Sequence, residues 1–316
     1  MVDRPNRPTA LATTPGVGPQ PQVTISHENS RVSAVLPTGE SVDVLLFGAT
    51  VVSWKDSAGN EKLWVSDAAK LDGSKPVRGG IPLVFPVFGT APDHAATAKL
   101  AQHGFARNSV WEFLGKSSAE SEASTEASVK LDFGISSATI DEKFKALWPY
   151  TFSAIYSVTL APDGLRTSIS ITNDGSQSFE CQFLLHTYLR INDITKIEVT
   201  GLEDAEYIDK VDGAKTKAQS GGVVITGETD RVYTPAKGPS APIIVSEAGK
   251  PVFTVVRDNL KDVVVWNPWT EKAVSIGDFE PKDGFKNMIC VEAGSVRGWT
   301  LLEQGDVFNG AQSISY

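Results

Sequence analysis

The chain has 316 residues, 41% of them hydrophobic and 21% charged, with a formal net charge of −9. This is the composition of a globular chain, not of a disordered one. The acidic excess excludes a broad basic footprint for nucleic acid or an acidic membrane, so an anionic substrate would need a local cationic pocket.

Residues 1–22 hold Pro5, Pro8, Pro15, Pro19 and Pro21 and few apolar side chains, which predicts a disordered tail. No stretch has the apolar core of a signal peptide, and none approaches the ~20 apolar residues of a membrane span, so a cytoplasmic location is expected. From Val23 short strand patterns begin. Ser33–Pro37, Ser41–Phe47, Val51–Trp54 and Lys62–Val65 are separated by turns at Thr38-Gly39, Gly48 and Asp56–Asn60, as in an antiparallel sheet. Lys75–Gly89 is long and apolar but contains Pro82 and Pro86, which excludes a central strand and predicts a buried loop wall. Its Gly79-Gly80 pair lets the backbone approach something closely. In Gln102–Arg107 an extended backbone would put His103, Phe105 and Arg107 on one face.

Trp111–Leu114 and Val129–Phe133 read as strands flanking a polar Ser/Ala/Glu hairpin tip. Asp141–Leu147 is a short helix candidate stopped by Pro149. Phe152–Leu160 and Leu165–Thr172, joined at Pro162–Gly164, form the clearest hairpin. Cys181–Arg190 reads as a single strand with an apolar face (Cys181, Phe183, Leu185, Thr187, Leu189) and a mixed, wet face (Gln182, Leu184, His186, Tyr188, Arg190). His186 could meet a ligand there, or be a structural histidine. Further short strands follow, among them Thr229–Tyr233, Val263–Trp266 and Met288–Glu292, with polar loops at 212–222 and 278–284. No βαβ rhythm, internal repeat or dinucleotide signature appears. The pattern predicts an all-β protein, one antiparallel β-sandwich over residues 23–316.

Cys181 and Cys290 are too few for a disulfide framework and are expected to be buried, reduced thiols. No Cys/His spacing suits zinc. Glu292 follows Met288 and Cys290 on one face, so partial desolvation should raise its pKa toward that of a useful general base. An exposed glutamate at a strand end is the alternative. Asp230 could pair with Arg231, and Trp266 or Trp269 could stack on a sugar ring or cap the core.

The ordered set Arg78-Gly-Gly-Ile-Pro, Gln102-His-Gly-Phe-Ala-Arg107, Leu185-His186-Thr-Tyr-Leu, Thr229-Asp-Arg-Val-Tyr233, Val265-Trp-Asn-Pro-Trp269 and Asn287-Met-Ile-Cys-Val-Glu292 resembles the glucose-6-phosphate 1-epimerases of the aldose 1-epimerase superfamily. The likeness runs from about Val23 to Tyr316. It implies the large galactose-mutarotase-type sandwich with a few short helices and a site on its concave face. It also implies interconversion of the α and β anomers of a hexose 6-phosphate, without metal or other cofactor; with the acidic charge and the lack of an apolar span, a monomer with no nucleic-acid or membrane partner is expected. By the resemblance His186 is the general acid on the ring oxygen and Glu292 the general base on the C1 hydroxyl. Gln102, His103, Asp230 and Trp266 hold the sugar, and Arg78 and Arg107 hold the phosphate, with Lys99 a further cation in view. Two alternatives remain open: an epimerase of free aldoses, and a catalytically silent sugar-phosphate-binding protein.

Overall fold

The computed structural model describes residues 20–119 and 128–316. The expected tail falls almost wholly outside the described residues, as does the Ser/Ala/Glu stretch 120–127. The strands on either side of that stretch, Glu112–Ala119 and Ser128–Ser136, pair antiparallel, as a hairpin requires.

Among the described residues the strands form three antiparallel sheets. Gln22–Ser26, Arg31–Val35, Ser41–Leu45 and Thr50–Lys55 make a four-stranded meander. A nine-stranded sheet has Val307–Ser315 as its central strand, paired to Gly164–Asn173 of the hairpin Phe152–Ala161 and Gly164–Asn173. The eight-stranded sheet carries the site. Its path runs Lys215–Ala218, Glu206–Asp209, Thr229–Thr234, Asp262–Asn267, Met288–Leu302, Phe179–Leu185 and Leu83–Val84, and Tyr188–Arg190 also pairs with Met288–Leu302.

Side-chain alternation explains why two sheets stack. In the eight-stranded sheet Phe179, Cys181, Phe183 and Leu185, Val263 and Val265, and Ile289, Val291 and Ala293 point to one side. They share one buried cluster with Val129, Leu131 and Phe133, Tyr156, Val158 and Leu160, and Ile169 and Ile171 of the nine-stranded sheet. Each such side chain contributes about 1.5–3 kcal/mol on leaving water. The opposite side of the eight-stranded sheet is where chemistry can be placed.

Several expectations need correcting. Cys181–Arg190 is two strands: Phe179–Leu185 ends, His186 and Thr187 interrupt it, and Tyr188–Arg190 resumes against the same neighbour. At the break Thr187 N–H bonds back to the Leu185 carbonyl at 2.9 Å, while His186 N–H donates to the Pro82 carbonyl at 3.0 Å. The face expected to be wet is buried at Gln182, Leu184, His186 and Tyr188: Leu184 packs with Val84, Val264 and Val296, Tyr188 with Trp64 and Met288, and Gln182 donates to the Val296 and Gly298 carbonyls. Within the proline-containing run, Leu83–Val84 does pair with Leu184–Leu185, as a two-residue edge strand. Gln102–Arg107 is not extended. His103 has φ 69° and Ala106–Asn108 is a 3-10 turn, so Phe105 enters the aromatic core while His103 turns toward the site. Glu292 is not at a strand end but the fifth residue of a fifteen-residue strand. A short strand, Lys215–Ala218, lies inside the expected 212–222 loop, and a helix, Trp269–Ser275, follows Asn267-Pro268. The predicted helix is present as Glu142–Leu147, and Asp141 caps it by accepting from Lys143 N–H.

Candidate active site

A cavity of about 280 Å³ opens on the outer side of the eight-stranded sheet. That is close to the lower end of the ~300–1,000 Å³ of ligand sites and on the scale of one sugar ring. Arg78, Gln102, His103, His186, Asp230, Trp266 and Glu292 all line it, together with Phe88, Lys210, Val264, Lys272 and Ile276. Residues far apart in sequence meet because neighbouring strands set them in register. Trp266 pairs with Cys290, Val264 with Glu292, and Asp230 with Trp266.

At the back of the cavity His186 Nδ1 lies 3.3 Å from Glu292 Oε1. Tyr188 stacks on the imidazole with centroids 4.7 Å apart and planes 9° apart, and Trp266 and His103 each meet it edge-on at 5.9 Å. The ring is therefore held in one plane. Burial holds protonated His186 well below the usual range, and the positive charges of Arg107 and Arg78 add to this. Burial likewise pushes the Glu292 carboxyl well above its usual value, helped by Asp230. Glu292 Oε2 is buried and finds no hydrogen-bond partner among the described residues.

His103 has its own fixed tautomer. Gly89 N–H donates to His103 Nδ1 at 3.1 Å, so the ring hydrogen sits on Nε2, and the Gln102 amide 3.3 Å away can accept it only with its oxygen turned to the ring. Burial, then Arg107, Lys210 and Arg78, keep this histidine neutral. It can donate to a sugar oxygen but is no acid.

The cavity carries charge of both signs. Arg78 Nε donates to Asp278 Oδ1 at 3.0 Å and its Nη1 to Tyr188 Oη at 3.3 Å. Lys210 Nζ sits 3.3 Å from Asp230 Oδ2 and 4.7 Å from the Phe88 ring centroid. Asp230 thus pairs with Lys210, not with Arg231, which stacks on Tyr207 from another side. Burial raises the Asp230 pKa while Lys210 opposes the shift. With Lys272, three cations face two carboxylates, a local positive excess in an acidic chain. Arg107 does not line the cavity. Its Nη2 donates to the Gln102 carbonyl at 3.0 Å, which braces the loop carrying Gln102 and His103, and burial pushes its pKa down to about 10. Lys99 is exposed and away from the lining.

Sequence reading missed Lys210, Lys272, Asp278 and the structural part of Tyr188. Only Tyr188 had a signal, two residues after His186 on the same face. It also found no metal-type cluster, whereas the fold brings His186, Cys290 and Glu292 together.

The aldose 1-epimerase family model matches residues 31–315. The chain belongs to the aldose 1-epimerase family. Anomer exchange at C1 of a hexose, an isomerase reaction, is the activity that membership carries. A relative from Cenchrus ciliaris, provisionally named a glucose-6-phosphate 1-epimerase, is 34% identical over 86% of this chain and 80% of its own. One from Escherichia coli K12 with the same provisional name is 34% identical, covering 85% of this chain and 84% of its own. The crystal structure of a provisionally named mutarotase from Salmonella typhimurium superposes with a TM-score of 0.77 at 28% identity, over 93% of this chain and 92% of that one. A galactose mutarotase-like protein from Clostridium acetobutylicum shares the fold, with a TM-score of 0.68 at 17% identity over 93% and 97% of the two chains. Like these neighbours, the chain is a large antiparallel sandwich of the mutarotase type.

Proposed function

We infer that the protein interconverts the α and β anomers of a hexose 6-phosphate, chiefly glucose 6-phosphate, with His186 and Glu292 as the acid–base pair. The observation that carries this reading is the buried His186–Glu292 contact at the back of a sugar-sized cavity with Arg78 at its edge.

One proton is shared by the pair. Burial of both groups favours the uncharged arrangement, with the proton on Glu292 and Nδ1 of His186 accepting it. Transfer across the 3.3 Å contact makes a carboxylate and an imidazolium. A phosphate dianion beside Arg78 offsets the positive field that opposes the imidazolium, so substrate itself favours the reactive arrangement. Glu292, through its unpartnered Oε2, takes the C1 hydroxyl proton while His186 Nε2–H protonates the ring oxygen. The C1–O5 bond breaks and an aldehyde forms. The aldehyde rotates, His186 takes back the C5 hydroxyl proton, Glu292 returns its proton to O1, and the ring closes on the other face. Each partner contributes on the order of 10²–10⁴-fold.

Asp230 and the Nε2–H of His103 suit sugar hydroxyls, Gln102 supplies a further amide, and Trp266 offers a flat apolar wall. Arg78 presents its free guanidinium hydrogens to the phosphate, and Arg107 adds charge and braces the Gln102 loop. The test is equilibration of freshly dissolved single anomers. Glucose 6-phosphate should equilibrate faster with the protein than without, and faster than free glucose or galactose. Equal acceleration of free and phosphorylated sugars would move the assignment to a free-aldose epimerase. Binding with no exchange would make it a silent binder.

A further inference from the structure

We propose that His186 Nδ1, Cys290 Sγ and Glu292 form a three-ligand site for Zn²⁺, and that occupancy shuts the active site off. The site itself rests on geometry alone; the inhibition rests on the acid–base reading above.

The three ligand atoms lie within 4.8 Å of one another, with Nδ1 3.3 Å from Oε1 and 3.8 Å from Sγ. A tetrahedral zinc ion with bonds of ~2.0–2.3 Å has ligand–ligand edges of roughly 3.4 Å for nitrogen to oxygen and 3.6 Å for nitrogen to sulfur. Two edges of one tetrahedral face are thus already close to their bound length, and the third needs a movement of about 1 Å at most. Strand register produces the arrangement. Cys290 and Glu292 are successive same-side residues of Met288–Leu302, and Tyr188, two residues after His186, pairs with Cys290. No spacing in the sequence signals it, because His186 and Cys290 lie 104 positions apart.

The chemistry selects the ion. An imidazole, a thiol and one carboxylate suit a borderline-soft cation, whereas Mg²⁺ and Ca²⁺ require mostly oxygen ligands. All three residues are buried, and Glu292 Oε2 has no hydrogen-bond partner among the described residues. On binding, the thiol proton and the proton shared by His186 and Glu292 leave to solvent. Thiolate and carboxylate then balance the two positive charges of the ion, so the buried site ends neutral. Two of the three ligands, His186 and Glu292, line the cavity, so the site adjoins the space that water or a sugar oxygen would occupy. His186 and Glu292 can exchange no proton while the metal holds Nδ1 and the carboxylate.

The test uses the full chain, Cys290→Ala, Cys290→Ser and, as a control thiol, Cys181→Ala. Co²⁺ added to the wild type should give a thiolate-to-metal charge-transfer band, kept in Cys181→Ala and lost in both Cys290 variants. Zn²⁺ should inhibit anomer exchange of glucose 6-phosphate by the wild type, with chelator restoring the rate. Against its own metal-free rate, Cys290→Ala should need at least ~10-fold more Zn²⁺ for the same inhibition. No band in the wild type, a band surviving in Cys290→Ala, or equal Zn²⁺ sensitivity of the two would overturn the site. A band that depends on Cys290, with exchange indifferent to Zn²⁺, would uphold the site and overturn the acid–base assignment instead.

Discussion

Replacing Arg78 by leucine should separate phosphorylated from free substrate. Arg78 spends Nε on Asp278 at 3.0 Å and part of Nη1 on Tyr188 at 3.3 Å, so it keeps one or two hydrogen bonds for a phosphate rather than its whole fork. A hydrogen bond to a charged group contributes about 1.5–3 kcal/mol. At about 1.4 kcal/mol per tenfold, that is a loss of roughly 10- to 100-fold in kcat/KM for glucose 6-phosphate. Free glucose should stay within about two-fold, since it has nothing for Arg78 to hold. Stability should hardly change. The Arg78 and Asp278 side chains are 25% and 35% exposed, and pairs this open to solvent contribute under about 1 kcal/mol. Asp278, left alone, would repel the phosphate, so Asp278→Asn in the leucine background should recover part of the loss. The assay is loss of optical rotation or NMR exchange from single anomers of both sugars. Equal losses on both would show that Arg78 acts only through Tyr188 and the His186 ring. No loss on either would place the phosphate elsewhere.

Glu292→Gln and His186→Asn should each lower kcat by on the order of 10²–10⁴-fold with an unchanged circular dichroism spectrum; full activity in either would sink the acid–base assignment. Phe105→Ala, which empties a fully buried position against Phe85, Trp148 and Phe152, should cost about 3–5 kcal/mol in denaturant unfolding. Gly80→Ala should fold poorly: Gly80 has φ 69°, and an added Cβ would lie 2.1 Å from the Val51 carbonyl oxygen, so soluble yield and melting temperature should both fall. Asp56 accepts hydrogen bonds from Lys62 and Asn60, which lower its folded pKa below the unfolded value. Its stabilisation is therefore present above about pH 4 and disappears as pH falls below that, so the gap in melting temperature between wild type and Asp56→Asn should close in acid.

Local periodicity carried much of the fold. Phe152–Ala161 and Gly164–Asn173 alternate cleanly and are joined by a Pro-Asp turn, and both are where the pattern puts them. The inward face of the 179–185 strand was legible for the same reason. The break at His186 was not, because the bond from Thr187 to the Leu185 carbonyl is a backbone event that no side-chain period records. Nor was the burial of that strand's other face, which depends on Trp64, Phe88, Val264 and Trp266 arriving from distant parts of the chain. Arg78, His103 and Asp230 were found through their motifs. Lys210 and Asp278 stayed hidden because their importance lies in partners 20 and 200 positions away. The Gly79-Gly80 pair was read correctly: a Cβ on Gly79 would meet the Val65 Cα at 2.4 Å, which is the close approach that only glycine permits.

The parity of Met288–Leu302 has a consequence for genetics. Ile289, Val291 and Ala293 look into the shared core, while on the other side Cys290 packs into a second apolar cluster and Glu292 lines the cavity. A saturation screen across residues 289–293 should return two phenotypes. Ile289, Cys290, Val291 and Ala293 should lose protein abundance under almost any charged substitution, whereas Glu292 should keep abundance and lose turnover. Abundance and turnover measured side by side would therefore read out, one residue at a time, which codons serve the core and which the cavity.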